Sequence, residues 1–403
     1  MPSLSSKSAQ LQASPIRKLA PHARAAEARG TGVIYLNIGQ PDMATPPEML
    51  TVARELSLKR LAYAPSEGLA EARDAWSAFF ASWGIGFAAD EILVTSGASE
   101  AITIALAVVA GGGGEVLVFE PCYTNYLSFA AQADVRMAPI TLRVEDAYHF
   151  GSIERLRAAI SPKTKAILLC NPSNPTGTVY TSQELNAVAQ VAEEHDLFVI
   201  CDEVYREFVF DGGTVRSFTA YNDLARRIIL VDSVSKRFNA CGVRIGCLAS
   251  HNREVIDVSL RFCQARLSVP TVEQLMAVPL LENGRAYSEG LRGEYQDRRD
   301  AVFEGLSAID GVSPHRSEGS FYTMTRLPIE SCEDFAVWLL RDFAHEGETV
   351  CLAPGEGFYV TDGLGVDEVR LAFMYDADTL RRALRVLGAA VAAYPGRLAA
   401  ASV

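Results

Sequence analysis

From about residue 45 the chain alternates short, unbroken apolar runs with longer stretches of helical spacing. Ile92-Leu93-Val94, Val116-Leu117-Val118-Phe119, Ala166-Ile167-Leu168-Leu169, Phe198-Val199-Ile200 and Ile228-Ile229-Leu230-Val231 read as buried strands. Pro47 to Arg60, Leu69 to Ala81, Glu100 to Val109 and Gln183 to His195 read as helices, the last opened by the capping box Thr181-Ser182-Gln183-Glu184. This rhythm predicts an α/β fold: a large domain with a mostly parallel sheet covered by helices on both faces. After residue 285 the texture changes. A charged helix, Ala286 to Leu306, leads into short strands near Phe321 to Leu327, Val350 to Ala353 and Val369 to Phe373, with helices Glu333 to Phe343 and Ala377 to Tyr394 between them. That predicts a smaller α/β domain. Residues 1 to 30 read as an arm, with a helix around Pro21 to Arg29. The expected division is 1–44 for the arm and part of the small domain, 45–285 for the large domain, and 286–403 for the small C-terminal domain.

A chain of 403 residues suits such a division. A formal net charge of -12 argues against nucleic acid as a partner, because phosphate binding needs clustered cations. No apolar run approaches a membrane span, and Met1 to Gly30 holds no apolar signal core. The eight cysteines form no Cys-x-x-Cys pair, so no zinc ribbon, other metal site or thioredoxin motif is expected. Reduced thiols in a cytoplasmic protein are the expectation. Gly111 to Gly114 precedes a strand and opens no helix, so it reads as a turn, not a phosphate loop.

The candidate chemistry gathers at strand ends. Lys7, Lys18, Lys59, Lys163 and Lys165 fall in tail, loop or exposed helix, whereas Lys236 follows a buried strand in Ser233-Val234-Ser235-Lys236, with Arg244 shortly after. Burial there disfavours the ammonium form, and a neutral amine can form a Schiff base with a carbonyl cofactor. The alternative is a surface lysine in a turn. Thr95-Ser96-Gly97-Ala98-Ser99-Glu100 passes from strand to helix, where free amides suit a phosphate or make an ordinary cap. Asn171-Pro172-Ser173-Asn174-Pro175-Thr176-Gly177 and Cys201-Asp202-Glu203-Val204-Tyr205 follow successive strands, at the ends where open α/β sheets place ligands. A carboxylate entering a buried site there wants a cationic partner.

Together with Gly39-Gln40-Pro41-Asp42, Pro121-Cys122-Tyr123 and Val369-Arg370-Leu371, these motifs resemble the fold-type I, pyridoxal-phosphate-dependent aminotransferases of class I and II, in their aspartate-aminotransferase-like branch. They stand in the family's order over residues 35 to 375. The resemblance implies pyridoxal 5'-phosphate as cofactor, held by the large domain, with Lys236 as the Schiff-base lysine. It also implies that Asp202 pairs with the pyridine nitrogen and that Tyr205 and Asn174 bond the phenolic oxygen. Tyr123 would stack on the ring, and Gly97, Ala98, Ser99, Ser233 and Arg244 would hold the phosphate. Arg370, with backbone from Gly39 and help from Asn174, would grip the substrate α-carboxylate. Tyr63 would reach the phosphate of a neighbouring subunit, implying a homodimer with shared active sites.

The implied activity is transfer of an amino group between an L-amino acid, aspartate and glutamate among the candidates, and a 2-oxo acid. A β-lyase on the same scaffold and a non-catalytic cofactor-binding regulator are the alternatives. After Lys236 the chain reads Arg237-Phe238-Asn239-Ala240-Cys241-Gly242-Val243, unlike some relatives, which weakens any transfer of substrate identity. No residue is identified as the reader of the substrate side chain. Arg266 could meet a second carboxylate or form a surface or interface ion pair.

Overall fold

The computed structural model describes residues 3, 4, 11 and 13–398. Part of the expected arm over 1–30, Lys7 included, lies outside the described residues. Among the described residues the thirteen strands, in chain order, are β1 (Gly32–Tyr35), β2 (Ile92–Thr95), β3 (Glu115–Glu120), β4 (Arg136–Thr141), β5 (Thr164–Cys170), β6 (Phe198–Asp202), β7 (Ile228–Ser233), β8 (Gly246–Ala249), β9 (Ser313–Pro314), β10 (Tyr322–Arg326), β11 (Glu348–Cys351), β12 (Ala353–Pro354) and β13 (Glu368–Ala372).

The central sheet has seven strands in the order β2-β8-β7-β6-β5-β3-β4. From β7 to β4 every pairing is parallel, while β8 runs antiparallel to both β7 and β2. The sheet is thus mostly parallel, as expected. The unbroken apolar runs have a direct cause, because successive residues feed two different cores. In β5, Ile167 and Leu169 join one cluster while Ala166 and Leu168 join the other. In β7, Ile228 and Leu230 take the first face, and Ile229 and Val231 the second. Helices Ala70–Ser82, Ser182–Glu194 and Thr271–Asn283 cover the first face; Gly97–Ala110, Asn125–Ala133 and Arg253–Ala265 cover the second.

Two smaller sheets complete the fold. β12-β13-β10-β9 is antiparallel, and β1 pairs in parallel with β11. Their core includes Leu36, Phe321, Leu371 and Phe373, with Phe335 and Leu384 from helices Cys332–Asp342 and Ala377–Ala393. The capping box forms as expected, with Thr181 Oγ1 accepting from the Glu184 amide and Glu184 accepting from the Thr181 amide. The expected helix from Pro47 to Arg60 stops at Glu55. Leu58 and Leu61 beyond it are 47% and 68% exposed, so extending the helix would bury nothing there. No helix among the described residues is long and apolar enough to cross a membrane.

Candidate active site

The carboxyl ends of β5, β6 and β7 and the first turn of helix Gly97–Ala110 border a cavity of about 620 Å³. β7 runs directly into the short helix Val234–Arg237. Ser233 caps it, its Oγ accepting from the Ser235 amide at 3.1 Å and donating to the Ile245 carbonyl at 3.1 Å. This turn delivers Lys236 to the cavity, where Nζ donates to the Gly39 carbonyl at 2.6 Å and lies 3.9 Å from Cys241 Sγ. Burial lowers the Lys236 pKa, but Tyr322, Cys241 and Tyr123 raise it more, so that it stands above its ordinary value. The lowering by burial that the sequence led one to expect, and the smaller lowering by the Arg370 charge, are outweighed.

Asp202, at the end of β6, lines the same cavity and is 6% exposed. Tyr126 donates to its Oδ2 at 2.6 Å and the Val204 amide to its Oδ1 at 3.3 Å. Burial raises its pKa to about 6, against the lowering effect of those two bonds. The cationic partner expected from sequence is absent among the described residues; a phenol stands in its place. Asn174, after β5, accepts from Arg370 Nη1 at 3.1 Å, and Tyr205 donates to the Tyr322 hydroxyl at 3.1 Å. Tyr123 lines the cavity, its hydroxyl accepting from Asn125 at 2.9 Å.

Glycine is required where helix, strand and arginine meet. Gly97 has φ +74°, and a Cβ on it would come within 2.6 Å of Arg244 Nη2. A Cβ on Gly246 would lie 2.8 Å from the Ala98 amide nitrogen. The first-turn amides of the helix have no intrahelical acceptor. Ala98, Ser99, Ser233, Ser235 and Arg244 all line the cavity here. Arg244 donates to the Cys241 carbonyl at 3.0 Å and has no acidic partner among the described residues.

Arg370 arrives from the antiparallel sheet, where it pairs with Met324 and Ala353. It is 1% exposed. Its Nη2 donates to the Asn37 carbonyl at 2.6 Å, its guanidinium lies over the rings of Tyr322 (4.3 Å) and Phe358 (4.9 Å), and its Nε is unpartnered. Burial lowers its pKa. Its sequence neighbours do not neutralise it. Asp367 and Glu368 face Arg326 at 3.2 and 3.9 Å, and Tyr359 bonds Glu368 at 2.6 Å. The carbonyl of Gly39, expected near the substrate carboxylate, is engaged by Lys236, and a Cβ on Gly39 would fall 1.9 Å from the Tyr322 hydroxyl.

Directly behind the lining residues is a buried ionic cluster. Arg206 bonds Glu203 at 2.8 Å and Asp232 at 3.2 Å, while Arg237 meets Asp232 and lies 3.3 Å from Glu207. Asp202, Tyr205 and Lys236 line the cavity, whereas their immediate neighbours Glu203, Arg206 and Arg237 belong to this cluster.

Two expected residues lie apart. Tyr63 is 80% exposed and outside the cavity. Arg266 bonds Glu100 at 2.7 Å and the Val94 carbonyl at 2.9 Å, an ion pair outside the cavity. Sequence reasoning missed Tyr126, Tyr322, Ser235, Cys241, Asn37 and Arg17. Ser235 and Cys241 flank Lys236 and could have been drawn from that motif; the others carry no local signature. A larger open depression of about 800 Å³ near Lys18, Arg136, Glu356 and Asp362 shares no lining residue with this cavity. No group of three or more His, Cys, Asp or Glu side chains among the described residues could hold a metal ion.

A doubly covered sheet presents a lysine and a carboxylate at its strand ends, opposite two arginines without acidic partners among the described residues, and comparison with known proteins says which family this is. The sequence profile of the family "Aminotransferase class I and II" matches residues 31–387. The chain is 31% identical over 388 residues to the aspartate/prephenate aminotransferase of Thermus thermophilus, covering 93% of this chain and 97% of that one. It is 30% identical over 390 residues to the aromatic-amino-acid aminotransferase 2 of Thermococcus litoralis, covering 94% and 96%. The structure of the Thermus thermophilus aspartate aminotransferase with maleate superposes with a TM-score of 0.87 at 28% identity, over 97% of this chain and 100% of that one. The chain belongs to the class I and II aminotransferase family, and its activity is amino-group transfer.

Proposed function

We propose that the enzyme uses pyridoxal 5'-phosphate to move the amino group of an L-amino acid to a 2-oxo acid, with Lys236, Asp202 and Tyr205 as its catalytic residues. The observation that carries this reading is Arg370: a fully buried guanidinium on the cavity wall with no carboxylate against it. An uncompensated buried cation is costly and is relieved by an anion entering the cavity. The α-carboxylate common to every amino acid and 2-oxo acid is such an anion, held in a two-point grip.

The residues present also fit the cofactor. Asp202 is a buried carboxylate without a cation, the complement of a protonated pyridine nitrogen. Gly97 and Gly246 keep clear a cradle of amides and hydroxyls beside Arg244, the complement of a phosphate. When bound, the cofactor supplies an aldehyde that condenses with amines and a conjugated ring that withdraws electrons. Amides at Gly97, Ala98 and Ser99, the Ser233 hydroxyl and Arg244 would hold the phosphate. Tyr123 would cover the ring, and Asp202 would hold the proton on its nitrogen. Tyr205 and Asn174 would donate to the phenolic oxygen, Asn174 Nδ2 being free while its Oδ1 serves Arg370. Lys236 would anchor the aldehyde carbon and, once released, take the substrate α-proton at Nζ.

The exposed Tyr63 and the apolar Leu58 and Leu61 beside it support a homodimer in which Tyr63 completes the partner's phosphate site. Eight unpaired cysteines support a cytoplasmic setting. The test is to mix the cofactor-loaded enzyme with single amino acids and follow cofactor absorbance and products. One equivalent of 2-oxo acid, reversed by adding a different 2-oxo acid, is the expected result. Pyruvate and ammonia would mean elimination instead, and no change with any amino acid would refute turnover.

A further inference from the structure

The cavity has a marked charge imbalance. Its lining includes Lys236, Arg244, Arg370 and Arg17, and Asp202 is the only carboxylate among the described lining residues. Under the reading above, Lys236 serves the cofactor aldehyde, Arg244 the phosphate and Arg370 the α-carboxylate. Arg17 remains. It makes no ion pair with any described acidic side chain, and it comes from the N-terminal segment, far in sequence from every motif at the strand ends.

That segment is fixed. The Arg17 amide donates to the Ser14 carbonyl at 3.0 Å, and the Ile16 carbonyl accepts from Asn37 Nδ2 at 2.8 Å. Pro15 packs so closely on Gly357 that a Cβ there would be 2.2 Å away, Lys18 pairs with Glu333 at 2.5 Å, and Leu19 is buried. Asn37 also ties the two arginines together. Its side chain holds the turn that carries Arg17, while its carbonyl accepts from Arg370 at 2.6 Å. The backbone that carries Arg17 and the guanidinium of Arg370 are thus anchored to the same residue, on one cavity.

We propose that Arg17 reads the substrate side chain by binding a second anionic group, so that the preferred substrates are dicarboxylic amino acids and their 2-oxo acids. The proposal rests on the amino-group-transfer reading of Arg370. Specificity comes from the attraction alone. A side-chain carboxylate gains charge-assisted hydrogen bonds. Arg17 is exposed, so a neutral side chain leaves it hydrated and gains nothing from it.

The test compares the full-length, cofactor-loaded wild type with Arg17→Gln and Arg17→Lys. For aspartate and glutamate, Arg17→Gln should lower kcat/KM by about 10- to 100-fold, the range expected for a charge-assisted bond. For alanine and leucine the change should be less than about twofold, and Arg17→Lys should restore part of the loss, because it keeps the charge but not the planar fork. A loss of equal size for acidic and neutral substrates, or no loss, would overturn the proposal. Calorimetric binding of succinate and propionate separates this from the activity itself. Arg17→Gln should weaken succinate by a similar factor and leave propionate alone, even if no amino acid were turned over. A succinate affinity unchanged by Arg17→Gln would refute the role of Arg17 while leaving amino-group transfer standing.

Discussion

Arg237 and Arg370 are both almost fully buried, yet only Arg237 has carboxylates against it. Behind the strand ends, Arg206 and Arg237 are enclosed by Glu203, Glu207 and Asp232, and Ser217 and the Phe218 amide complete the bonds of Glu203. In front of them, the cations of the cavity face Asp202 alone. In the rear cluster each guanidinium faces carboxylates of the chain itself. The cavity is left cationic, which gives it value only when anions enter. Burial of charge alone therefore does not mark a functional residue; lack of an internal partner does.

The largest expected effect tests the front of this comparison. Lys236→Ala should lower kcat by about 10,000-fold or more, as loss of both the covalent anchor and the base requires. Circular dichroism and thermal unfolding should remain close to wild type. Near-normal turnover in that variant would remove Lys236 from the chemistry.

The next tests the rear. Arg237→Met strips a guanidinium from Asp232 and Glu207 and should destabilise the fold by about 3 to 5 kcal/mol, the cost of breaking a buried ion pair. Arg370→Met, which removes a charge without an internal partner, should cost far less. Urea unfolding of both variants decides this, and equal losses would dissolve the contrast.

Asp202 sharpens it through pH. Its folded pKa is raised from 3.8 to about 6. Between those values the native protein keeps a proton that the unfolded chain has released, so stability falls as pH rises through the window. At about 1.4 kcal/mol per unit, the loss approaches roughly 3 kcal/mol above pH 6. Cofactor-free Asp202→Asn should therefore be more stable than cofactor-free wild type above about pH 6 and equal to it below about pH 4. Loading the cofactor should erase the advantage while revealing a strong drop in kcat. Denaturant titrations at a series of pH values measure the first effect.

The smallest of these concerns the shape of the grip. Arg370→Lys preserves charge but loses the planar fork, and bonds to charged groups are worth about 1.5 to 3 kcal/mol each, a loss in kcat/KM of about 10- to 150-fold. That loss should be similar for acidic and neutral amino acids. A loss confined to aspartate and glutamate would make Arg370 the side-chain reader.

The apolar centre of the molecule was legible in the sequence, while the ionic cluster behind the strand ends was not. Both faces of the sheet are covered, so β5, β6 and β7 stand out as apolar runs, and the polar residues just beyond them, Asn174, Asp202 and Lys236, mark where those runs end. The antiparallel β8 left no comparable mark, since direction within a sheet is not encoded in apolar spacing. Tyr126 and Tyr322 were illegible for another reason. They meet Asp202 and Tyr205 across 76 and 117 residues of sequence, and each lies in an ordinary-looking amphipathic element. Arg17 sits in a stretch that reads only as a basic arm. Its nearness to Arg370 comes from the contacts of Asn37, which apolar spacing cannot reveal.

The alternation at the strand ends restricts how this site can change over generations. Asp202 and Glu203, Tyr205 and Arg206, and Lys236 and Arg237 are adjacent in the chain but serve opposite sides of a thin partition. Dropping a single codon between Ser233 and Lys236 would carry the Arg237 guanidinium to the position of the Lys236 amine. Adding one there would instead push Lys236 among the carboxylates that now fit Arg237. These turns can exchange side chains one at a time, but their lengths are locked in phase with each other, and new substrate preferences must be sought in parts free of that lock, such as the N-terminal turn that carries Arg17.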